Sequence, residues 1–296
     1  MLFDAYVMID WSGGRTLGPS RPAKDNIWVG DLGVEGACQR YFRGRHAATE
    51  HVRARLAEYV DRGARVLVGF DFPYGYPAGL SRALALDGVA PWRAVWDELG
   101  RLVHDDVMNV NNRFDVAAEL NSRIAGPGPF WGCPPSEANT WLTPSTKGLF
   151  SFPVKGLARL RATEAAMPGV QETWKLYGAG SVGSQAMLGI PRVRDLRDDP
   201  AIEAVSGVWP FETGFTEQPI PPKGPFVLHA EIWPGIVDVP ADAPIRDQAQ
   251  VRLMCEWAAR HDAAGTLGAW FAPALDPATA VAASSEEGWI LGCEPA

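Results

Sequence analysis

Short hydrophobic runs alternate with turns and one helical segment at the start of the chain, and their order limits the possible folds. Residues 5–10, 26–33 and 37–45 read as strands, and Gly/Pro-rich turn residues separate the first two. Residues 48–63 place apolar side chains at helical spacing, and residues 65–71 predict a fourth, fully buried strand. The predicted order is β-β-β-α-β, with three antiparallel strands followed by a crossover to a parallel strand.

The remainder of the chain divides into an irregular middle and a regular end. About 150 residues after the fourth strand are helical or rich in Pro and Gly, which is too long for a simple connection. We therefore predict a helical insertion or cap at 76–222, packed on a core formed by 1–75 and 223–296. The core regains a strand at 226–233 and a long amphipathic helix at 246–262. The predicted fold class is α/β, a ribonuclease-H-like mixed five-stranded sheet in β-β-β-α-β-α-β-α order.

Composition narrows the functional classes. The chain has 296 residues, 47% of them hydrophobic and 21% charged, which is ordinary for a soluble globular enzyme. A net charge of −8 disfavours tight nonspecific binding to long duplexes without excluding them, because such affinity comes from neutralising phosphates. The sequence has no apolar stretch of membrane-spanning length and no basic leader, so we expect a cytoplasmic protein without a membrane partner. Its four scattered cysteines indicate neither a zinc site nor a disulfide framework.

Four acidic residues stand where regular elements end or begin. Asp10, Asp71 and Glu231 follow the first, fourth and last apolar runs, and Asp247 opens the long helix. If the three strands are neighbours in one sheet, their carboxylates converge on one edge. Like charges held together in this way are costly unless a cation or a shared proton relieves them. We therefore predict a catalytic set of all four acids and a Mg²⁺ or Mn²⁺ site at Asp10, Asp71 and Asp247.

Each of these acids also has a purely structural interpretation. Asp10 and Asp71 could cap the backbone N–H groups of the turns that follow them. Glu231 could form a buried ion pair with an arginine. Asp247 could be a first-turn acid that is favoured by the helix dipole.

A glycine-rich segment suggests where an anionic ligand could bind. Residues 178–183 read GAGSVG, but the polar segment before them does not form the strand that a dinucleotide site requires. A loop that presents backbone N–H groups at the start of the next helix fits better. We therefore expect substrate binding by four residues: Ser12, Lys175, Gly180 and Arg192.

The same positions resemble a known group of proteins. The chain resembles the predicted RNase-H-like nucleases of unknown function from bacteria and archaea. The resemblance is carried by the Asp10 turn, the Asp71-Phe-Pro segment, the Glu231-x-x-Pro segment, the Asp247 helix and the terminal residues 287–290. The resemblance spans nearly the whole chain through short motifs. It implies a ribonuclease-H-like fold and a divalent cation as cofactor, and a nuclease activity inferred from that fold.

Three functions are compatible with these observations. The first is a metal-dependent phosphodiester hydrolase that acts on nucleic acid or on a phosphorylated small molecule. The second is an actin-like or sugar-kinase-type phosphotransferase, because Asp10-Trp-Ser-Gly-Gly resembles the first phosphate loop of those enzymes. The third is a non-catalytic accessory protein of cofactor metabolism, for which we expect the four acids to be paired with arginines.

Overall fold

A mixed β-sheet forms the centre of the molecule. The computed structural model describes residues 1–88 and 90–294, and within them six strands are arranged in the order β3-β2-β1-β4-β6-β5. The strands are β1 (Ala5–Asp10), β2 (Ile27–Gly33), β3 (Gly36–Phe42), β4 (Arg65–Phe70), β5 (Ser206–Val208) and β6 (Phe226–Glu231). β2 is antiparallel to both β1 and β3, whereas β1, β4, β6 and β5 are parallel.

Helices cover both faces of this sheet. They are α1 (Arg45–Asp61), α2 (Leu80–Ala83), α3 (Pro91–Leu102), α4 (Arg113–Ile124), α5 (Ala162–Ala166), α6 (Gly183–Arg197), α7 (Arg246–Ala263), α8 (Leu267–Trp270) and α9 (Pro277–Ala282). In the part of the chain that the structure describes, none of the helices combines the length and the apolar character needed to cross a membrane.

Alternating side chains of β1 show how the layers are built. Val7 and Ile9 belong to a hydrophobic cluster that includes residues of α1, α3, α4 and α6. Tyr6 and Met8, which point to the opposite face, belong to a second cluster that includes residues of α7 and α8. This period of two is the expected behaviour of a strand that is covered on both sides. The protein therefore has three layers, with the sheet between two sets of helices.

The α/β class and the mixed sheet confirm the coarse prediction, but the number of strands differs. Five strands were predicted and six are found, because Ser206–Val208 pairs with β6 as β5. This strand lies inside the predicted insertion 76–222, so that segment extends the sheet as well as covering it. Three residues with a central glycine are too short to show strand periodicity in a sequence. Near the end of the described residues, Ile290 forms an isolated parallel bridge with Glu231.

Helix α7 lies very close to the sheet. A Cβ atom added at Gly30 of β2 would lie 2.7 Å from the main-chain oxygen of Val251. Glycine is therefore required here for the close approach of two backbones and not for a special dihedral angle. This packing brings the first turn of α7, with Asp247, against the segment that leads into β2, where Asp25 donates its N–H to the Asp247 carboxylate.

Candidate functional site

Three of the predicted acids lie at one edge of the sheet. Asp10 is the last residue of β1, Asp71 follows β4 directly, and Glu231 is the last residue of β6. The three strands are adjacent and parallel, and Phe70 of β4 is in register with Ile9 on one side and Glu231 on the other. Their carboxyl ends therefore coincide, which is the position where α/β sheets bind ligands.

A cavity of about 650 Å³ opens at this edge. Six of the predicted site residues line it: Asp10, Ser12, Asp71, Gly180, Glu231 and Asp247. The volume lies in the usual range for a small-molecule site. A single concave surface is thus formed by elements that are distant in sequence. These elements are three strand ends, the first turn of α7 and the loop before α6.

Main-chain donors fix two of the carboxylates. Asp71 accepts a hydrogen bond of 2.7 Å from the N–H of Trp11, which follows Asp10 in the chain. Asp247 accepts one of 2.5 Å from the N–H of Asp25. In both cases the carboxylate caps a main-chain N–H group, which is the structural role that the sequence also allowed for Asp71. Each uses one carboxylate oxygen, so the interaction orients the side chain without neutralising its charge.

Burial and mutual repulsion act on the acids in the same direction. Burial raises the pKa of Asp10 well above its usual value, and the charges of Asp71 and Asp247 raise it further. Burial also raises the pKa of Asp71 to about 7, although the bond from Trp11 opposes the shift. The pKa of Asp247 is raised as well, again chiefly by burial. Across 1–88 and 90–294, these three carboxylates form no ion pair with Lys, Arg or His, so the site carries uncompensated negative charge.

The donor atoms suit a hard cation, but the structure contains no complete cage for one. Among the described residues, no group of three or more His, Cys, Asp or Glu side chains is placed to hold a metal ion. Magnesium usually needs fewer protein ligands, since one or two carboxylates together with water and substrate phosphate complete its shell. Asp10 and Asp71 supply the right oxygen chemistry and an excess of negative charge for this mode of binding.

Glu231 differs from the other three acids because it is ion-paired. Its carboxylate receives bonds of 2.7 and 2.6 Å from the fully buried guanidinium of Arg161, and one of 3.0 Å from the N–H of Tyr74. The structural interpretation of this residue is therefore the one observed. With both oxygens engaged, Glu231 is placed to hold the loop after Asp71, and we correct its predicted catalytic role to a positioning one.

Arg161 serves more than one carboxylate. It also donates to Glu164 at 2.7 Å and to the main-chain oxygen of Glu287 at 2.8 Å. A single guanidinium is thus shared by two buried acids, Glu164 and Glu231. Burial outweighs the favourable interactions with Arg161 and raises the pKa of Glu164 to about 7.

The start of α6 forms another wall of the cavity. Gly178, Gly180 and Gln185 line it. Among the residues described, no side chain caps the first turn of α6, and its first N–H, that of Gly183, donates to the main-chain oxygen of Lys175 at 2.9 Å. Gln185 donates a bond of 2.6 Å to the main-chain oxygen of Trp11, which ties this helix to the loop after β1. The glycine segment thus precedes a helix directly, as predicted.

Two predicted substrate-binding residues lie outside the cavity lining. Lys175 donates to the main-chain oxygen of Ala179 and lies over the ring of Trp131, with its Nζ atom 5.6 Å from the ring centroid. Arg192 donates to Asp105 at 2.8 and 3.1 Å and lines a different cavity. Arg192 is nine residues into α6, which corresponds to roughly 13 Å along the helix axis. Arg192 is close to the glycine loop in sequence, but it does not line the same cavity.

Other cavity residues gave no sequence signal of their own. Gln171, Trp233 and Gln250 line the cavity together with Asp25 and Arg246. Asp25 lies in a Gly/Pro-rich loop without periodicity. Arg246 is the residue before Asp247. Its position at the start of a helix, beside a predicted acid, was the one feature of the sequence that indicated a place in the cavity.

Comparisons with known proteins give no relatives: no family model, no curated protein and no solved structure matches this chain. The functional argument therefore rests on the geometry and charge of the site.

Proposed function

We propose that this protein is a divalent-metal-dependent phosphodiester hydrolase and that the cavity at the ends of β1, β4 and β6 is its active site. We also infer a ribonuclease-H-like core. The three antiparallel strands, the crossover helix α1 and the parallel β4 support that inference, and the sixth strand would be an addition to it.

The observation that carries the proposal is the uncompensated charge of Asp10, Asp71 and Asp247 around one cavity. Burial makes these charges unfavourable, and no lysine or arginine of the described residues forms an ion pair with any of them, although Arg161 and Arg246 line the same cavity. Folded proteins rarely keep such an arrangement without a functional reason. A divalent cation would supply the missing positive charge and reverse the effect on the carboxylate pKa values.

The residues of the chain have distinct roles in this proposal. Asp10 and Asp71 would hold the cation, with Asp247 directly or through water, and the cation would activate a water and stabilise the leaving oxygen. The first turn of α6 binds a phosphate oxygen through main-chain N–H groups. Trp11 keeps the Asp71 carboxylate in place. Arg161 and Glu231 do not contact the cation in this proposal. They fix the loop between Asp71 and Tyr74.

The two alternative functions receive less support. An actin-like or sugar-kinase-type phosphotransferase needs a duplicated core, and the described residues form a single sheet. An accessory protein was expected to pair all four acids with arginines, but within residues 1–88 and 90–294 only Glu231 is paired.

Activity of purified protein on bis(p-nitrophenyl) phosphate and on a labelled oligonucleotide tests the proposal. We expect cleavage that requires Mg²⁺ or Mn²⁺ and that falls by about 100-fold or more in Asp10→Asn. Asp276→Asn is the matched control, because Asp276 only caps α9 by accepting bonds from Ala278 and Thr279. Full activity of Asp10→Asn, or equal activity in EDTA, would overturn the proposal.

A further inference from the structure

A cationic and aromatic surface adjoins the cavity. We call it the rim surface and define it by Arg15, Trp141, Lys175 and Tyr177. Arg15 follows the cavity residue Ser12 by three positions, and Tyr177 directly precedes the cavity residue Gly178. The rim surface is therefore continuous with the candidate active site through two separate segments of chain.

The two aromatic rings of the rim surface are exposed and well supported. Tyr177 is 49% exposed and Trp141 is 40% exposed. The Tyr177 ring packs edge-on against Phe114, with their centroids 6.4 Å apart. The main-chain oxygen of Trp141 accepts a bond of 2.6 Å from Asn121. Flat rings that are partly open to solvent can stack on the bases of an unpaired strand.

The two cations of the rim surface also rest on aromatic rings. The guanidinium carbon of Arg15 lies 5.5 Å from the ring centroid of Phe114, and the Lys175 ammonium lies 5.6 Å from that of Trp131. The only carboxylate bonded to either of them among the described residues is Glu137, which pairs with Arg15 at 2.6 Å. Aromatic rings and hydrogen bonds therefore hold both cations in place, since the Lys175 ammonium also donates to the main-chain oxygen of Ala179.

The charge around the rim surface contrasts with that of the whole chain. Residues 138–163 contain no Asp or Glu, although the chain carries a net charge of −8. Beneath the rim surface, the buried Arg113 has a pKa lowered to about 10 by burial and by the charges of Arg15 and Arg45. Its Nε atom has no hydrogen-bond partner in the part of the chain described. The segment that carries Trp141 thus contains basic side chains and no acidic ones.

We propose that the rim surface binds single-stranded nucleic acid and guides the strand into the carboxylate cavity. Bases would stack on Tyr177 and Trp141, and backbone phosphates would meet Arg15 and Lys175. This inference rests on the proposed function, since it names the substrate of the same site. A duplex fits poorly, because its bases are already stacked and the net charge of the protein repels a long polyanion.

Fluorescence anisotropy in EDTA tests binding separately from cleavage. The probe is a fluorescein-labelled oligothymidylate of roughly 20 nucleotides, compared with a duplex of the same length. We expect the single strand to bind about tenfold more tightly than the duplex. Tyr177→Ala should weaken binding about fivefold or more, whereas Tyr177→Phe, which keeps the ring, should restore it.

Charge substitutions provide a second readout. Arg15→Glu should weaken binding about tenfold and reduce the dependence of affinity on salt. Lys223→Glu is the matched control, because Lys223 is exposed and precedes β6, at the opposite end of the sheet from the cavity. Circular dichroism checks that each variant is folded. Equal losses in Arg15→Glu and Lys223→Glu, or unchanged affinity in Tyr177→Ala, would overturn the inference.

The outcomes separate this inference from the proposed function. If Asp10→Asn binds the oligonucleotide like the wild type but does not cleave it, both proposals are supported. If the wild type cleaves bis(p-nitrophenyl) phosphate with Mn²⁺ but does not bind the oligonucleotide, the inference fails while the hydrolase proposal stands. If the oligonucleotide binds at the rim surface and no phosphodiester is cleaved, the hydrolase proposal fails and the rim surface remains a strand-binding site.

Discussion

The carboxylate of Asp71 accepts a 2.7 Å hydrogen bond from the main-chain N–H of Trp11. This bond links the ends of two adjacent parallel strands, because Trp11 follows the last residue of β1 and Asp71 follows β4. It holds the Asp71 carboxyl group beside that of Asp10, and burial raises the pKa of both groups. The site is therefore fixed in a geometry that is unfavourable for the isolated protein, as expected where function and stability compete.

Replacing Asp71 by Asn should stabilise the metal-free protein. The amide oxygen can still accept the bond from Trp11, whereas the repulsion with Asp247 disappears. We expect the free energy of unfolding to rise by about 1 kcal/mol or more at pH 8 and by less at pH 5, where the folded state keeps a proton on Asp71 that the unfolded state has lost. Urea denaturation in EDTA measures both values. A loss of stability at pH 8 would contradict the electrostatic interpretation of the site.

Mn²⁺ should raise the melting temperature of the wild-type protein and leave that of Asp10→Asn nearly unchanged. A ligand that binds only the folded state stabilises it by about 2.7 kcal/mol at 100 times its dissociation constant. Differential scanning calorimetry with increasing Mn²⁺ measures the shift, and Asp276→Asn, outside the cavity, should respond like the wild type. An equal response in Asp10→Asn would show that the ion binds elsewhere.

Removing the guanidinium of Arg161 should be strongly destabilising. In Arg161→Met two buried acids, Glu164 and Glu231, lose their shared partner, and such losses cost about 3–5 kcal/mol. Arg62→Met is the matched control, because Arg62 is 49% exposed in its pairs with Glu35 and Glu58 at the surface, and surface pairs contribute little to stability. Chemical denaturation compares the two. Similar losses in both variants would contradict a special role for the buried pair.

Stability should fall as the pH rises from about 4.5 to about 7. Burial raises the pKa of Glu164 to about 7, above its ordinary value of 4.5. Between these values the folded state holds a proton that the unfolded state has lost, so the free energy of unfolding decreases with rising pH. Asp10 and Asp71 act in the same direction. Glu164→Gln should therefore reduce the slope without abolishing it. A slope identical to that of the wild type in urea titrations would show that Glu164 ionises normally.

The convergence of Asp10, Asp71 and Glu231 could be predicted from the sequence because it depends on local signals. Each residue ends a short apolar run, and neighbouring parallel strands share a carboxyl edge. The start of α6 directly after the glycine segment was likewise indicated by glycines before an apolar helical segment. These features need only the type and order of the elements.

Partners that come from distant segments could not be predicted. Arg161 lies 70 residues before Glu231, in an irregular segment whose path no periodicity reveals. Arg192 was placed at the site by its nearness to the glycine loop, but the length of the helix carries it to Asp105. Strand β5 escaped detection because three residues contain too little pattern. The Arg161–Glu231 pair, the position of Arg192 and the formation of β5 all depend on tertiary packing, which local sequence patterns do not reveal.

A methyl group at Gly30 should displace α7 and disturb the site. The added Cβ would lie 2.7 Å from the main-chain oxygen of Val251 and 2.9 Å from its carbonyl carbon, and a backbone cannot move aside as a flexible side chain can. We expect Gly30→Ala to lower the free energy of unfolding by about 2 kcal/mol. Gly126→Ala is the matched control, since its Cβ would find only one neighbouring atom, at 3.9 Å.

The same substitution should reduce catalytic activity further than the lost stability explains. Asp247 lies in the first turn of α7, so a shift of this helix moves its carboxylate relative to Asp10 and the bond from Asp25. We expect a several-fold decrease in metal-dependent cleavage by Gly30→Ala at a temperature where it is fully folded, because small displacements at a reacting centre have large effects on rate. Cleavage assays beside circular dichroism separate the two effects. A destabilised but fully active Gly30→Ala would remove Asp247 from the proposed active site while leaving Asp10 and Asp71 in it.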